Sequence, residues 1–164
     1  MPKAEKQIAL LDAGAVLNNP DFSFSGGKKY LMPSSVFSEL KDMRARLLAD
    51  NALKNSVLSL KEPEEKSIKE AKESAKKLNT KLSKADFDVL ALAIRMRENK
   101  EDFFVITDDY SLQNVLSSLK IKFEPAMHSG IKGHFVLKRK CRNCGKILEG
   151  TSCDFCGNDN QGQV

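Results

Sequence analysis

Three aspartates follow apolar runs, at positions where they could hold a metal ion. Asp12 follows residues 8–11, and the pair Asp108 and Asp109 follows residues 103–106. A short continuous apolar run beside a turn is typical of a strand buried on both faces of a parallel sheet. Such strands end at one edge of the sheet, where open α/β folds bind their ligands. We therefore expect these carboxylates to lie close together.

Two further acids, Glu39 and Asp86, lie among apolar residues at helical spacing. Glu39 comes three residues after Val36, and Asp86 comes three residues before Val89. Each acid is therefore expected to share a helix face with core residues. An ionised carboxylate that faces a core is costly unless it is paired or bound to a cation. Few basic residues neighbour these acids in the sequence, which favours a bound metal ion.

Oxygen ligands without histidine or cysteine nearby favour Mg²⁺ or Mn²⁺. Such ions keep several waters and bind few carboxylates directly, so some of the acids would act through water. The matching chemistry is metal-assisted hydrolysis of a phosphodiester. The ion lowers the pKa of a bound water and neutralises charge on the phosphate, and a second ion would stabilise the leaving oxygen.

Each acid also has a purely structural explanation. Asp12 and Asp109 could cap the helices that follow them. Ser83 and Asp86 fit a capping box in which aspartate replaces the usual glutamate, and Glu39 fits a first-turn acid favoured by the helix dipole. Helices that follow parallel strands begin at the same sheet edge, so capping would also bring these acids together.

Strands that alternate with helices predict an α/β protein, a three-layer α/β/α domain around a mostly parallel sheet. Besides the two apolar runs, short strands are expected at residues 30–32, 55–60 and 121–123. Residues 18–29 contain asparagine, proline and glycine and predict a loop, to which the sequence assigns no role.

One helix is expected to begin after Pro33, with a serine as its N-cap, and to run to about Asp50. Its apolar residues at helical spacing are Val36, Leu40, Met43 and Leu47. A charged surface helix is expected after Pro63, and two more helices are expected on either side of the second apolar run. On the first of these two, Asp88 is expected to face solvent.

All four cysteines lie in two C-x-x-C-G motifs separated by eight residues: Cys141, Cys144, Cys153 and Cys156. This spacing predicts a structural Zn²⁺ site, because a closed four-cysteine shell leaves no open position for catalysis. The ion would hold a segment of roughly 25 residues that cannot fold on its own core. His128 and His134 are assigned to a linker, and a short strand is expected at residues 135–138.

The net charge is +5, and its basic excess is local, with six basic residues against one acidic in residues 120–140. A basic patch beside a metal module favours contact with a nucleic-acid backbone, although a solvated linker explains the charge equally well. The RNA-binding candidates are Lys138, Arg139, Lys140, Arg142, Lys146 and Phe155. Alternatively, Phe155 packs inside the cysteine module and the charges only keep it in solution.

No stretch approaches the ~18 apolar residues of a membrane span, which argues against a membrane protein. Asp12 interrupts the N-terminal apolar run, so a signal peptide is not expected. Paired cysteines at metal-ligand spacing favour a cytoplasmic protein over a secreted, disulfide-bonded one. The sequence gives no indication of the oligomeric state.

The acids and their surroundings resemble the PIN-domain ribonuclease pattern. The resemblance rests on Asp12 after a hydrophobic strand, Glu39 in SSVFSEL, Asp86 in LSKADFDVLALA, and Thr-Asp-Asp at residues 107–109. A zinc ribbon after such a domain, together with ITDDYSLQN, is similar to the Nin-one-binding family. These are endonucleases that trim the 3′ end of small-subunit ribosomal RNA precursors.

This resemblance implies a PIN-like nuclease domain over residues 1–123, a linker over residues 124–134, and a zinc ribbon with a short tail over residues 135–164. It implies cleavage of single-stranded RNA with Mg²⁺ or Mn²⁺, leaving a 5′-phosphate and a 3′-hydroxyl. The expected partners are the precursor RNA and the small-subunit assembly particle. The alternatives are a toxin-type PIN ribonuclease and a non-catalytic RNA-binding assembly factor.

Residue by residue, Asp12, Glu39 and Asp86 match the family pattern directly as catalytic, metal-binding acids. The family spacing, a threonine and then two residues on, selects Asp109 as the fourth acid, with Asp108 as the alternative. Thr107 is expected to orient a carboxylate or a water through its hydroxyl group.

Overall fold

The computed structural model describes residues 7–24, 27–126, 140–148 and 152–159. Among these residues, five strands form one sheet in the order β3-β2-β1-β4-β5, and every neighbouring pair is parallel. The strands are β1 (Ile8–Leu11), β2 (Lys29–Met32), β3 (Leu58–Leu60), β4 (Phe103–Ile106) and β5 (Phe123–Glu124). The predicted α/β class is confirmed, with a sheet that is parallel throughout.

Helices follow the strands along the chain and flank the sheet. They are α1 (Ala13–Leu17), α2 (Ser34–Glu39), α3 (Met43–Lys54), α4 (Glu65–Lys77), α5 (Lys84–Glu98) and α6 (Tyr110–Ser118). The most buried of them is α5, which packs against α2, α4, α6 and β1. Its sequence explains this position, because residues 89–94 are all apolar and leave no polar face for solvent. Within the described residues, no helix has the length and hydrophobicity needed to cross a lipid bilayer.

The central strand β1 fixes where the sheet edge lies. It pairs with β2 on one side and β4 on the other, and Leu10 and Leu11 are fully buried. Leu11 is opposite Ile106 in the register, so β1 and β4 end side by side. The backbone N–H of Asp12 donates to the carbonyl of Ile106 at 3.1 Å and extends this ladder by one residue. The residues that follow the two strands therefore start from adjacent positions.

The single helix predicted from Pro33 to about Asp50 is wrong, because the chain forms two helices there. Pro33 itself is the N-cap of α2 and makes no side-chain capping bond, so neither serine caps it. Between α2 and α3, Asp42 caps α3 by accepting a hydrogen bond from the backbone N–H of Ala45 at 2.9 Å. This local cap starts a new helix and overrides the apolar spacing that ran across it.

The apolar face predicted for that region is wrong as well in its second half. Met43 is 84% exposed and Leu47 is 60% exposed. The buried residues of α3 are small, Ala45, Ala49 and Ala52, and Leu48 and Leu53 pack against the core beside them. Alanine lets a helix approach its neighbours closely, whereas Met43 and Leu47 point outward.

The loop before β2 has a structural role that the sequence did not reveal. Phe22, Phe24 and Tyr30 form an edge-to-face aromatic cluster, with Phe24 centred 5.1 Å from each of the other two rings. The guanidinium of Arg44 donates to the carbonyl of Val16 at 2.9 Å. It also donates to the carbonyls of Asn19 and Pro20. The loop is therefore fastened to the core on one side and to α3 on the other.

Packing against the main core continues to the end of β5 and just beyond it. β5 ends at Glu124, and Ala126 packs against the main core. The strand predicted at residues 135–138, both histidines, Lys138 and Arg139 lie outside the described residues.

Candidate metal sites

Asp12 occupies the end of the central strand and is only 6% exposed. It caps α1, and its carboxylate accepts hydrogen bonds from the backbone N–H of Ala13 at 2.6 Å and from the hydroxyl of Thr107 at 2.8 Å. Burial raises the pKa of Asp12 from 3.8 to about 6. The negative charges of Asp86 and Asp109 add to this rise, whereas the bond from Thr107 opposes it. Three acids predicted to converge are thus within electrostatic reach of one another, and we call them the carboxylate cluster.

Thr107 connects two members of the cluster across the adjacent strand ends. Its fully buried hydroxyl donates to Asp12 and accepts from the backbone N–H of Asp109 at 3.1 Å. The side chain of Gln113, on α6, donates to the carbonyl of Thr107 at 2.9 Å and holds this turn from below. Gln113 was not among the residues predicted from the sequence, although a glutamine beside the apolar residues of α6 is a usable signal for a buried hydrogen bond.

The two tandem aspartates have different partners. Asp109 is the N-cap of α6 and accepts from the backbone N–H of Ser111 at 2.7 Å. Asp108 instead accepts from the backbone N–H of Ala126 at 2.9 Å, beyond the end of β5. Of these two aspartates, only Asp109 raises the pKa of Asp12. These contacts favour Asp109 as the fourth acid of the predicted site.

Asp86 forms the predicted capping box at the start of α5. Its carboxylate accepts from the backbone N–H of Ser83 at 2.8 Å, and its own N–H donates to the Ser83 hydroxyl at 3.2 Å. The Asp86 carboxylate therefore caps α5 and also raises the pKa of Asp12 through its negative charge. The structural and the functional explanation of Asp86 do not exclude each other.

Glu39 is not among the groups whose charges act on Asp12. It is the last residue of α2 and is exposed, so the prediction that it faces the core is wrong. α2 packs against α1 and α5, the helices that begin beside Asp12 and Asp86. Within the part of the chain that is described, Glu39 makes no side-chain hydrogen bond or ion pair, so its carboxylate is available to a ligand.

The carboxylate cluster fits a hard divalent cation. No ion pair among the described residues includes Asp12, Asp86 or Asp109, so their repulsion has no positive side chain to offset it. Their oxygen atoms are suitable ligands for Mg²⁺ or Mn²⁺. In the described residues the carboxylate oxygens do not converge as the cysteine sulfurs do, so such an ion would reach some of these acids only through water.

Asp88 was predicted to face solvent, and this is wrong. It is 7% exposed and accepts a hydrogen bond from the hydroxyl of Ser35 at 2.6 Å. The reason is that α2 lies against α5 and covers this position. A helix that is buried on nearly every side has no polar face, so spacing alone did not reveal which side Asp88 would occupy.

The four cysteines form a second candidate metal centre. Their sulfur atoms all lie within 4.8 Å of one another, with Cys141 to Cys156 at 3.6 Å and Cys144 to Cys153 at 3.5 Å. These distances exclude disulfides, whose sulfurs are about 2.05 Å apart. Zn–S bonds of about 2.3 Å in a tetrahedron would place the sulfurs about 3.8 Å apart, so the arrangement fits zinc.

Two equivalent turns build this centre. Gly145 and Gly157 have φ angles of +72° and +69°, which favour glycine. Their N–H groups donate to the carbonyls of Cys141 and Cys153, the first cysteines of the two motifs. Backbone N–H groups of Cys156 and Phe155 lower the pKa of the Cys153 thiol and so favour the thiolate, the form that binds metal.

The surface of the cysteine module carries several predicted RNA-binding residues. Phe155 is 68% exposed and does not pack inside the module. The ammonium group of Lys146 lies 3.0 Å from the centre of the Phe155 ring. Lys140 and Arg142 are exposed as well.

The sequence of this chain is similar to a ribonuclease family model and to several known ribonucleases. Residues 9–96 match the family model described as the PIN domain of ribonuclease. Endoribonuclease Nob1 of Methanothermobacter thermautotrophicus is 32% identical over 154 residues, which cover 90% of this chain and 88% of that protein. Endoribonuclease Nob1 of Archaeoglobus fulgidus is 36% identical over 126 residues, covering 76% and 74%. Ribonuclease VapC1 of Thermoplasma acidophilum is 31% identical over 156 residues, covering 93% and 76%.

These matches confirm the resemblance inferred from the acids and their spacing. The family model spans more than half of the chain, beginning within β1 and ending within α5. The matches to Nob1 and VapC1 cover most of this chain and most of each relative. The chain therefore belongs to the PIN-domain ribonuclease family and is an endoribonuclease related to Nob1.

Proposed function

We propose that this endoribonuclease cleaves single-stranded RNA at the 3′ end of the small-subunit ribosomal RNA precursor, using Mg²⁺ or Mn²⁺. The observation that carries the metal dependence is the buried Asp12, whose pKa is raised to about 6 beside two further acids and which forms no ion pair among the described residues. The relatives named Endoribonuclease Nob1 support the reaction class. The choice of RNA follows from the family resemblance.

In this mechanism the carboxylates hold the metal and the reacting groups in place. A bound ion would supply a water of lowered pKa and would neutralise charge on the scissile phosphate. Asp12, Asp86 and Asp109 are held by helix caps, so their oxygens need little rearrangement when the ion arrives. Thr107 keeps the Asp12 carboxylate oriented through its hydroxyl. Glu39, at the end of α2, would supply a further carboxylate to the ion.

The cysteine centre would hold structural Zn²⁺ and present a surface to RNA. Exposed Phe155 offers a ring on which a base can stack, and Lys146 and Arg142 offer charge to phosphates. Lys140 belongs to the same group, as do Lys138 and Arg139 in the preceding residues. The protein would bind its RNA substrate within the small-subunit assembly particle, in the cytoplasm.

The test uses zinc-loaded protein and a short RNA that spans the 3′ end of the small-subunit rRNA precursor. With Mn²⁺, we expect one cut that leaves a 5′-phosphate and a 3′-hydroxyl, and no cut after chelation of the Mn²⁺. Asp12→Asn should slow cleavage by roughly 100-fold or more, because a metal-binding carboxylate is lost. Asp42→Asn is the matched control, since Asp42 caps α3 and belongs to no predicted site.

Two results would contradict the proposal. Cleavage that continues at the normal rate in Asp12→Asn would remove the metal site from the mechanism. Cutting at many positions in unrelated RNAs would instead favour a toxin-type ribonuclease, the second candidate, which the match to VapC1 over 93% of the chain supports.

A further inference from the structure

The buried contact between Asp88 and Ser35 has no evident value for stability. In the described residues, the carboxylate of Asp88 receives one side-chain hydrogen bond, from the neutral Ser35 hydroxyl, and no ion pair. A buried carboxylate with a single neutral partner is costly, and an apolar pair would fill the same space without that cost. The contact therefore calls for a reason other than packing.

The position of the pair suggests the reason. Ser35 and Glu39 are four residues apart on α2, so they lie on the same side of that helix, one turn apart. Asp88 is two residues after Asp86 on α5, so the two carboxylates share the first turns of that helix but point to different sides of it. The bond from Ser35 to Asp88 therefore fixes the side of α2 that carries Glu39 against the helix that carries Asp86.

α2 needs such a constraint because it is short. It has six residues and no side-chain cap at its start. A helix of this length gains little stability from its own hydrogen bonds, so tertiary contacts must set its orientation. Val36 supplies an apolar anchor, which resists separation but does not fix rotation about the helix axis. A hydrogen bond of 2.6 Å between side chains is directional and does fix it.

We propose that Ser35 and Asp88 are positioning residues that orient Glu39 toward the metal held by the carboxylate cluster. The inference rests on the proposed function, because it assigns Glu39 to that site. Neither residue touches the metal or the RNA. Their effect passes through Glu39 alone.

The experiment measures Mn²⁺ binding directly, by isothermal titration calorimetry of the zinc-loaded, full-length protein without RNA. Ser35→Ala should weaken Mn²⁺ binding by about tenfold, as is usual when a group that orients a ligand is lost. Ser38→Ala is the matched control, since the Ser38 hydroxyl bonds only within α2, to the carbonyl of Ser34. Ser35→Thr keeps the hydroxyl and should bind Mn²⁺ nearly as well as the unchanged protein.

The decisive arm repeats Ser35→Ala in a Glu39→Gln background, where it should cause no further loss of affinity. Amide hydrogen exchange over residues 34–39 should quicken in Ser35→Ala, which shows that α2 has loosened even if the melting temperature stays the same. An equal loss of affinity with and without Glu39 would overturn the inference, because the effect would then be general. Full affinity in Ser35→Ala would overturn it as well.

Failure of the inference and failure of the proposed function give different results. If Glu39→Gln weakens Mn²⁺ binding and Ser35→Ala does not, the metal site stands and the positioning role falls. If the unchanged protein binds no Mn²⁺ apart from the cysteine centre, both fall together.

Discussion

Asp12 bears the main electrostatic cost of the carboxylate cluster. Its burial and its two acidic neighbours raise its pKa from 3.8 to about 6. The folded protein therefore holds this proton more tightly than the unfolded chain does. Between about pH 4 and pH 6, stability falls as pH rises, because the ionised form is favoured in the unfolded state.

The first prediction is that Asp12→Asn stabilises the metal-free protein at pH 7. A shift of this size corresponds to roughly 2–3 kcal/mol of unfolding free energy, since one pKa unit is about 1.4 kcal/mol. The gain should shrink at pH 4, where Asp12 is largely protonated. Urea unfolding at the two pH values measures this, with Asp42→Asn as the control. A change in stability on Asp12→Asn that is the same at pH 7 and pH 4 would contradict the raised pKa.

The second prediction concerns Thr107, which bridges Asp12 and Asp109. Thr107→Val keeps the shape of the side chain and removes both hydrogen bonds. We expect a stability loss of about 1–3 kcal/mol, as for other buried polar groups left without a partner. We also expect a further rise in the Asp12 pKa, because the Thr107 bond lowers it. NMR titration of the Asp12 carboxyl carbon measures the pKa.

Thr80→Val is a suitable control for this variant. Thr80 is also buried, and its hydroxyl bonds to the carbonyl of Leu78 and to Asn114. It should lose stability without moving the Asp12 pKa. If both variants move that pKa equally, the effect of Thr107 is not local.

At the scale of elements, the hydrogen bonds that cap three helices also hold the carboxylates of the cluster in place. α1, α5 and α6 begin with Asp12, with the Ser83–Asp86 capping box and with Asp109. A helix N-terminus carries partial positive charge, so each cap reduces some of the repulsion within the cluster. The residual repulsion is the part that a cation would relieve.

Sequence analysis predicted these elements well where burial is complete. β1 and β4 are apolar throughout and lie inside the sheet, so their composition shows them directly. Asp12, Asp86 and Asp109 were predicted to converge because parallel strands end at a common edge, and the charges of Asp86 and Asp109 do raise the pKa of Asp12. The core-facing side chain expected for Glu39 was wrong, because its helix ends at that residue and leaves it exposed.

The break between α2 and α3 could not be predicted from periodicity. Val36 and Leu40 are buried as expected, and the spacing continues into Met43 and Leu47, which are exposed. Asp42 carries the information instead, as a cap inside an otherwise helical pattern. The contact of Asp88 with Ser35 was also beyond reach, because it depends on how two helices pack.

The third prediction follows from that cap. Asp42→Ala should destabilise the protein by about 1 kcal/mol, the usual value of a lost N-cap. In a domain of this size the melting temperature should fall by about 2–4 °C. Asp42→Ser should keep most of the stability, because serine caps helices well. An unchanged melting temperature in Asp42→Ala would show that α3 does not depend on its cap.

At the scale of the whole molecule, the described residues form two separate cores. The sheet domain has a large apolar core, whereas the described part of the cysteine module buries only Cys141, Leu148 and Cys153. Three side chains cannot offset the entropy of ordering such a segment. We therefore expect the fold of the module to depend on a bound metal ion.

The fourth prediction is that removing zinc unfolds the cysteine module and spares the sheet domain. After treatment with a zinc chelator, or in Cys144→Ser, amide NMR signals of residues 140–148 and 152–159 should collapse toward random-coil positions. Signals from β1 and α5 should keep their dispersion, because their core contains no cysteine. Loss of the sheet signals at the same chelator concentration would contradict this independence.

The helix caps that hold the acids form without a metal ion, so the two kinds of ion would be acquired in different ways. Zinc would be taken up once, as the cysteine module folds, and would stay for the lifetime of the chain. The sheet-edge acids are assembled by backbone hydrogen bonds before any ion arrives, so that ion could enter and leave with each turnover. The supply of Zn²⁺ would thus limit the folding of the cysteine module. The supply of Mg²⁺ or Mn²⁺ would limit the rate of cleavage at the carboxylate cluster.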